Sequence, residues 1–235
     1  MIQNLLVFMC LINPLFAATP SDISLRNKIM PYLFPGETRL LGAAQLENAE
    51  LYARILEKYG MGVTDVALLK EQQRIEQNTK LPENLRRIKA AFQGDDGAFR
   101  RVYVLPVYVE RVIYFDLFRN SETIHRESLD KAQRFLKRVK NHASRFEMLA
   151  KKEGAAVARV SDKEVPGGWG SLLMPQVRSG KVFPLVVSTE ENWGVAFRSS
   201  AKKELRVALF RKRNFDEWVN EERAIIGNQN KAQIP

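Results

Sequence analysis

The sequence predicts an α+β protein: an N-terminal helical region, then a small antiparallel sheet with a long packing helix, then a C-terminal helix. Three observations carry this reading. The stretch 128–154, SLDKAQRFLKRVKNHASRFEMLAKKEG, sets Leu129, Ala132, Leu136, Val139, Ala143, Phe146 and Ala150 three and four residues apart, on one face of a helix. Most of the chain before it keeps a helical period. After it the apolar period changes to two: Trp193, Val195 and Phe197 alternate, and so do Leu205, Val207 and Leu209. The chain therefore divides into a leader (1–18), a helical region (19–120), a sheet-bearing domain (121–213) and a C-terminal helix (214–235).

The leader runs without charge from Leu5 to Ala18. It is shorter than the about 20 apolar residues of a membrane span and is followed by polar Thr19, Ser21 and Asp22, the layout of a Sec-type secretory signal peptide. The expected location is therefore periplasmic or secreted. Cys10 is the only cysteine and lies inside this segment, so a cleaved chain has neither disulfide nor thiolate chemistry.

Residues 22–34 give a mixed pattern that ends at Pro35-Gly36. Helical spacing follows over 38–59, closed by Gly60. Thr64 can cap a further helix over 63–78, with Val66, Leu69 and Ile75 as a sparse apolar face. Pro82 opens a short helix through Phe92, and Gly94-Asp95-Asp96-Gly97 reads as a loop. Residues 100–118 are rich in Val, Tyr and Phe, which favours a strand, while Pro106 can begin a helix; the reading adopted is a short extended piece, then a helix from Pro106 to Phe118. After Gly154, residues 155–160 form a short apolar run, 166–170 a Gly-rich loop, and 181–188 a strand. Asn214 with Glu217 forms a capping box for a last helix from Phe215 to about Ile226.

The net charge is +10. Basic stripes run along the 128–154 helix and through Arg198, Lys202, Lys203, Arg206, Arg211, Lys212 and Arg213. In an exported chain such stripes read as solvated faces that attract acidic clients or an anionic membrane surface, and not nucleic acid. No metal-ligand spacing, phosphate loop or dinucleotide fingerprint occurs, so no cofactor, metal or catalytic residue is expected. His125 and His142 are the only histidines, and His142 falls among lysines on the solvent side of its helix. The candidate binding residues are Trp169, Met174, Phe183, Trp193 and Phe197, although side chains of most of these types more often fill a core than a site. Trp169 stands apart because it lies in a Gly-rich loop, where recognition residues are common.

Several motifs resemble bacterial parvulin-type peptidyl-prolyl cis-trans isomerases (rotamases) and the SurA-like periplasmic chaperones. RIEQNTKLPENLRRIKAAF followed by PVYVER is similar to the region before the isomerase domain. In the 128–154 helix, Phe146, Leu149 and Ala150 match the Phe-x-x-Leu-Ala end of the first parvulin helix. Gly167, Gly168 and Gly170 resemble its Gly-Gly-x-Leu-Gly loop, and Met174-Pro175 resembles the methionine of the substrate-proline pocket. Gly180, Val182 and Pro184 resemble the closing Gly-x-Val-x-x-Pro strands, and NFDEW the end of such domains. The resemblance implies an exported protein-folding factor for unfolded or proline-containing polypeptides, with the C-terminal helix packed on the helical region. Active parvulins carry one histidine in the first strand and one in the last. Neither has a counterpart here, and Trp193-Gly194-Val195 stands where Gly-Tyr-His is expected. The implied activity is therefore weak or absent isomerisation on an apolar groove lined by the five candidate residues. A non-enzymatic cell-envelope assembly or interaction protein on the same scaffold is the alternative.

Overall fold

In a computed structural model, residues 18–34, 42–78, 80, 82–161, 176–200 and 204–232 are described. The chain divides into two compact units, Met1–Ile113 and Tyr114–Pro235. The first is helical and the second is α+β, as the sequence predicts.

The first unit begins with α1 (Pro20–Leu33). Thr19 caps it, accepting from the Asp22 amide at 3.2 Å while the Asp22 carboxylate accepts from the Thr19 amide at 3.1 Å. This reciprocal box turns a mixed pattern into a regular helix. Next come α2 (Gly42–Lys58), α3 (Asp65–Asn78) and α4 (Pro82–Ala91). Gly60, at φ 75°, closes α2: the Met61 amide reaches back to the Leu56 carbonyl and the Gly60 amide to that of Glu57. Thr64 caps α3 through the Ala67 amide at 3.2 Å. The face of α3 differs from expectation. Leu68 and Glu71 are buried, while Val66 and Leu69 are 62 % and 44 % exposed. Glu71 is buried because Arg74 and Arg111 both pair with it, and this holds its carboxyl below the usual range despite the desolvation that opposes it.

Asp95 caps the Ala98 amide at 2.8 Å, so the expected loop at 94–97 gives way at Asp96 to a single turn, α5 (Asp96–Phe99). The next stretch overturns the extended reading. Residues 100–118 are helical throughout: a π segment (Arg100–Val104), α6 (Leu105–Arg111) and a second π segment (Val112–Phe118). Pro106 has no amide and would crowd the carbonyl one turn back, and the wider π turn before it makes room. Burial of Val102, Val104, Val109 and Ile113 outweighs the strand preference of these side chains.

In the second unit the long helix is two helices. These are α7 (Arg126–Val139) and α8 (Phe146–Lys152), joined through a short turn and a 3-10 segment (Ala143–Arg145). An unbroken helix of 27 residues would run about 40 Å, whereas the seven-residue strand it must cover spans about 23 Å. The break folds the excess back, so α7 packs on β3 and β4 and α8 packs on β1. Leu129, Ala132, Leu136, Val139, Phe146 and Ala150 still share one core, with Ala143 packed against it. Gly154, at φ 71°, ends α8 as expected.

The sheet is antiparallel, in the order β1-β4-β3-β2: β1 (Ala156–Ser161), β2 (Val187–Ser188), β3 (Asn192–Arg198) and β4 (Glu204–Arg211). The strand expected over 181–188 is interrupted. Val182 bridges Phe197 and Val187 pairs with Gly194, so the edge advances five residues while β3 moves three. Pro184, which has no amide to give the ladder, lies in the resulting bulge. The last helix, α9 (Phe215–Ala232), starts where Asn214 caps the Glu217 amide at 3.1 Å, and it continues through Gly227. Trp218 is buried against Phe118 and Phe215, with ring centroids 5.2 and 6.0 Å away, while Ile225 is exposed.

Candidate functional site

Strand parity decides where the candidate residues of the second unit go. Trp193 and Phe197 point to the face covered by α7 and α8, are 5 % and 8 % exposed, and belong to the core with Phe135, Phe146 and Phe210. Phe183 packs on the opposite face against Val177, Ala196, Leu205 and Val207. The sheet therefore stands between Phe183 and the Trp193–Phe197 pair, and these three do not line one groove. Trp169 and Met174 lie outside the described residues, as do Gly167, Gly168, Gly170 and residues 1–17 of the expected 1–18 leader.

The helices α7 and α8 pack on the other face of the sheet. The rim of the Phe183 face is half-exposed: Val160, Phe183, Val187 and Leu209 surround the four buried side chains. The edge segment is held by the Phe183 amide on the Ala196 carbonyl and the Gly180 amide on the Arg198 carbonyl, both 2.8 Å. Gly180 turns at φ 72°, a conformation few other residues adopt. Past Pro184 the bulge leaves Leu185 62 % exposed. Arg178 and Lys181, earlier in the same segment, are exposed.

The helix-covered side holds a second cluster that sequence reasoning did not find. Lys212 is 4 % exposed. Its Nζ donates to the Arg119 carbonyl at 2.7 Å, the Thr189 carbonyl at 2.6 Å and the Ser188 hydroxyl at 2.9 Å, and it sits 4.4 Å from the Trp193 ring centre. Burial, with a smaller push from Arg119, lowers its pKa to about 8. His125 is fully buried alongside. Its Nε2 donates to the Phe118 carbonyl at 2.9 Å and its Nδ1 accepts the Arg213 amide at 3.2 Å, which fixes a neutral tautomer. Burial lowers its pKa below the ordinary histidine value. With both nitrogens engaged by backbone, this imidazole has no free position for acid–base work. His142 is exposed at the break between α7 and α8. A sequence signal for Lys212 did exist: it continues the inward parity of Ala208 and Phe210.

Among the described residues no three His, Cys, Asp or Glu side chains gather as a metal site. No helix among them is long and apolar enough to cross a membrane. No family model matches the chain, and neither does any curated protein or solved structure.

Proposed function

We propose that this chain is an exported protein-folding factor. It holds unfolded or extended polypeptide segments, proline-containing ones among them, along the Phe183–Leu185 edge of its sheet, with weak or no prolyl isomerisation. The observation that carries this reading is the interrupted edge strand: Phe183 half-buried on an apolar face and Leu185 exposed in the adjoining bulge. Apolar side chains set at a strand edge suit an extended chain, which pairs its backbone and inserts alternate side chains. Arg178 and Lys181 favour clients with acidic segments, and that contribution weakens with salt. Trp169 and Met174, on sequence grounds, are the further anchors.

Lack of turnover follows from the histidines. The chain has two, one with both nitrogens bonded to backbone and one exposed beside the helix break. Neither lies on the Phe183 face. Prolyl isomerisation makes no covalent bond, and a pocket must favour the twisted amide over a barrier of about 20 kcal/mol. A face whose described side chains are apolar binds more readily than it catalyses.

The reading is tested by suppression of client aggregation and by a protease-coupled prolyl assay, comparing wild type with Phe183→Ala, Trp169→Ala and Met174→Ala. Loss of client binding without any prolyl turnover to lose is the expected outcome. Binding confined to one folded envelope partner would favour the assembly role instead.

A further inference from the structure

Positive charge is concentrated in the second unit, which holds 23 Lys and Arg against 15 Asp and Glu, whereas the first unit holds 14 against 12. Its densest stretch is 131–152, with eight cations and a single carboxylate, Glu147. The fold decides where that charge goes. Leu129, Ala132, Phe135, Leu136 and Val139 of α7 enter one core with Phe146 and Ala150 of α8. Both helices therefore cover the same face of the sheet, and their outer sides face solvent together.

Ion pairs leave most of this charge free. Glu147 pairs with Arg159 of β1 and Arg206 of β4, at 2.9 and 3.3 Å. Lys131 is engaged by Glu127 and Arg138 by Glu153. Arg134, Lys137, Lys140, Arg145, Lys151 and Lys152 remain. All six are exposed, and none makes an ion pair among the described residues. Against them on the outer side of α7 stands one exposed carboxylate outside an ion pair, Asp130. One side chain in this layer is apolar. Met148 is 57 % exposed on the side of α8 away from Phe146 and Ala150. Arg145 lies three residues before it, and Lys151 and Lys152 three and four after it, so cations surround it on the helix surface.

We propose that the outer layer of α7 and α8 docks on an anionic lipid bilayer, with the six cations at the headgroup phosphates and the Met148 side chain at the acyl boundary. A bilayer presents its charge over a plane, which suits cations spread across two helices. An exposed thioether among lysines gains from an apolar boundary and gains nothing from a dissolved polyanion. That difference favours a membrane over nucleic acid. The layer lies across the sheet from Phe183, so the proposal stands whether or not the Phe183 edge binds polypeptide.

The test is co-sedimentation of the full chain with phosphatidylcholine vesicles that contain or lack phosphatidylglycerol. Wild type should bind the anionic vesicles more tightly, and raised salt should weaken that binding. Lys137→Gln, Lys151→Gln and Lys152→Gln together should weaken it at least about tenfold, since each cation near an anionic surface contributes on the order of a fivefold change. Lys28→Gln, Lys70→Gln and Lys80→Gln remove the same charge from exposed positions of the first unit and should leave binding near wild type. Met148→Ser should weaken it roughly threefold to fivefold. Equal binding of both kinds of vesicle, an equal loss in the first-unit triple or an unchanged Met148→Ser variant overturns the proposal. So does binding of duplex DNA or polyglutamate as tight as that of the anionic vesicles.

Discussion

Replacing Lys212 by Met keeps an apolar stem of similar length and removes the ammonium. Three oxygens then lose their donor: the carbonyls of Arg119 and Thr189 and the Ser188 hydroxyl. A buried acceptor left unpaired costs about 1–3 kcal/mol. Against this stands relief from burying a charge. The fall in the Lys212 pKa from 10.5 to about 8 corresponds to about 3 kcal/mol of penalty on the protonated form. That figure is an upper bound, because the three oxygens and the Trp193 ring both favour the ammonium. Three such acceptors together match or outweigh a relief of at most about 3 kcal/mol, so Lys212→Met should not stabilise the protein at pH 7. Between pH 8 and 10.5 the unfolded wild-type chain keeps a proton that the folded chain has released, so wild-type stability rises with pH across this window. The variant has no such group, and the gap between the two should widen by up to about 3 kcal/mol. Urea unfolding followed by tryptophan fluorescence reads this directly, since Trp169, Trp193 and Trp218 all belong to the second unit. An equal gap at pH 7 and pH 10.5 would refute the depressed pKa, and a variant more stable than wild type at pH 7 would refute the role of the three hydrogen bonds.

Three further outcomes follow from the same packing. Trp218→Ala should cost about 3–5 kcal/mol by the same unfolding assay, because the ring is almost fully buried against Phe118 and Phe215; a change under about half a kcal/mol would show the ring does not pack. Neutral, buried His125 has a folded pKa below that of the unfolded chain, so stability should fall as pH drops below 6.5, and His125→Gln should flatten that slope; an unchanged slope contradicts the burial. Phe183→Ala should weaken client binding with a small loss of stability, whereas Trp193→Ala should destabilise the second unit by about 3–5 kcal/mol; the reverse ranking would place Trp193, and not Phe183, at the surface.

Much of the architecture was legible because it rests on periodicity. The 128–154 pattern named the residues of one core face, and the alternations at 193–197 and 205–209 named two strands. What periodicity lacks is an origin. Alternation could not say that Trp193 and Phe197 face the helices while Phe183 faces away. The sparse pattern of α3 admitted the Val66–Leu69 face as readily as the Leu68–Glu71 face that is buried. Length constraints were also invisible, so a pattern continuous over 27 residues concealed a break that fits the helices to the shorter strands beneath. At 100–105 the β-branched residues spoke for an extended piece that tertiary burial made helical, whereas Pro106 marked the helix that follows it. Lys212 and His125 were hidden because long-range partners, chiefly Arg119, Thr189, Phe118 and the Arg213 amide, make their burial affordable.

The proposed function turns on polypeptide binding without prolyl turnover. Its most direct test is one comparison on the full chain: aggregation suppression of an unfolded client and protease-coupled turnover of a proline peptide, wild type beside Phe183→Ala with Leu185→Ala. The account predicts suppression by wild type that the double substitution abolishes while the fold is retained, with little or no turnover in either protein. Turnover at the rate of an active parvulin, or suppression untouched by the double substitution, would contradict it.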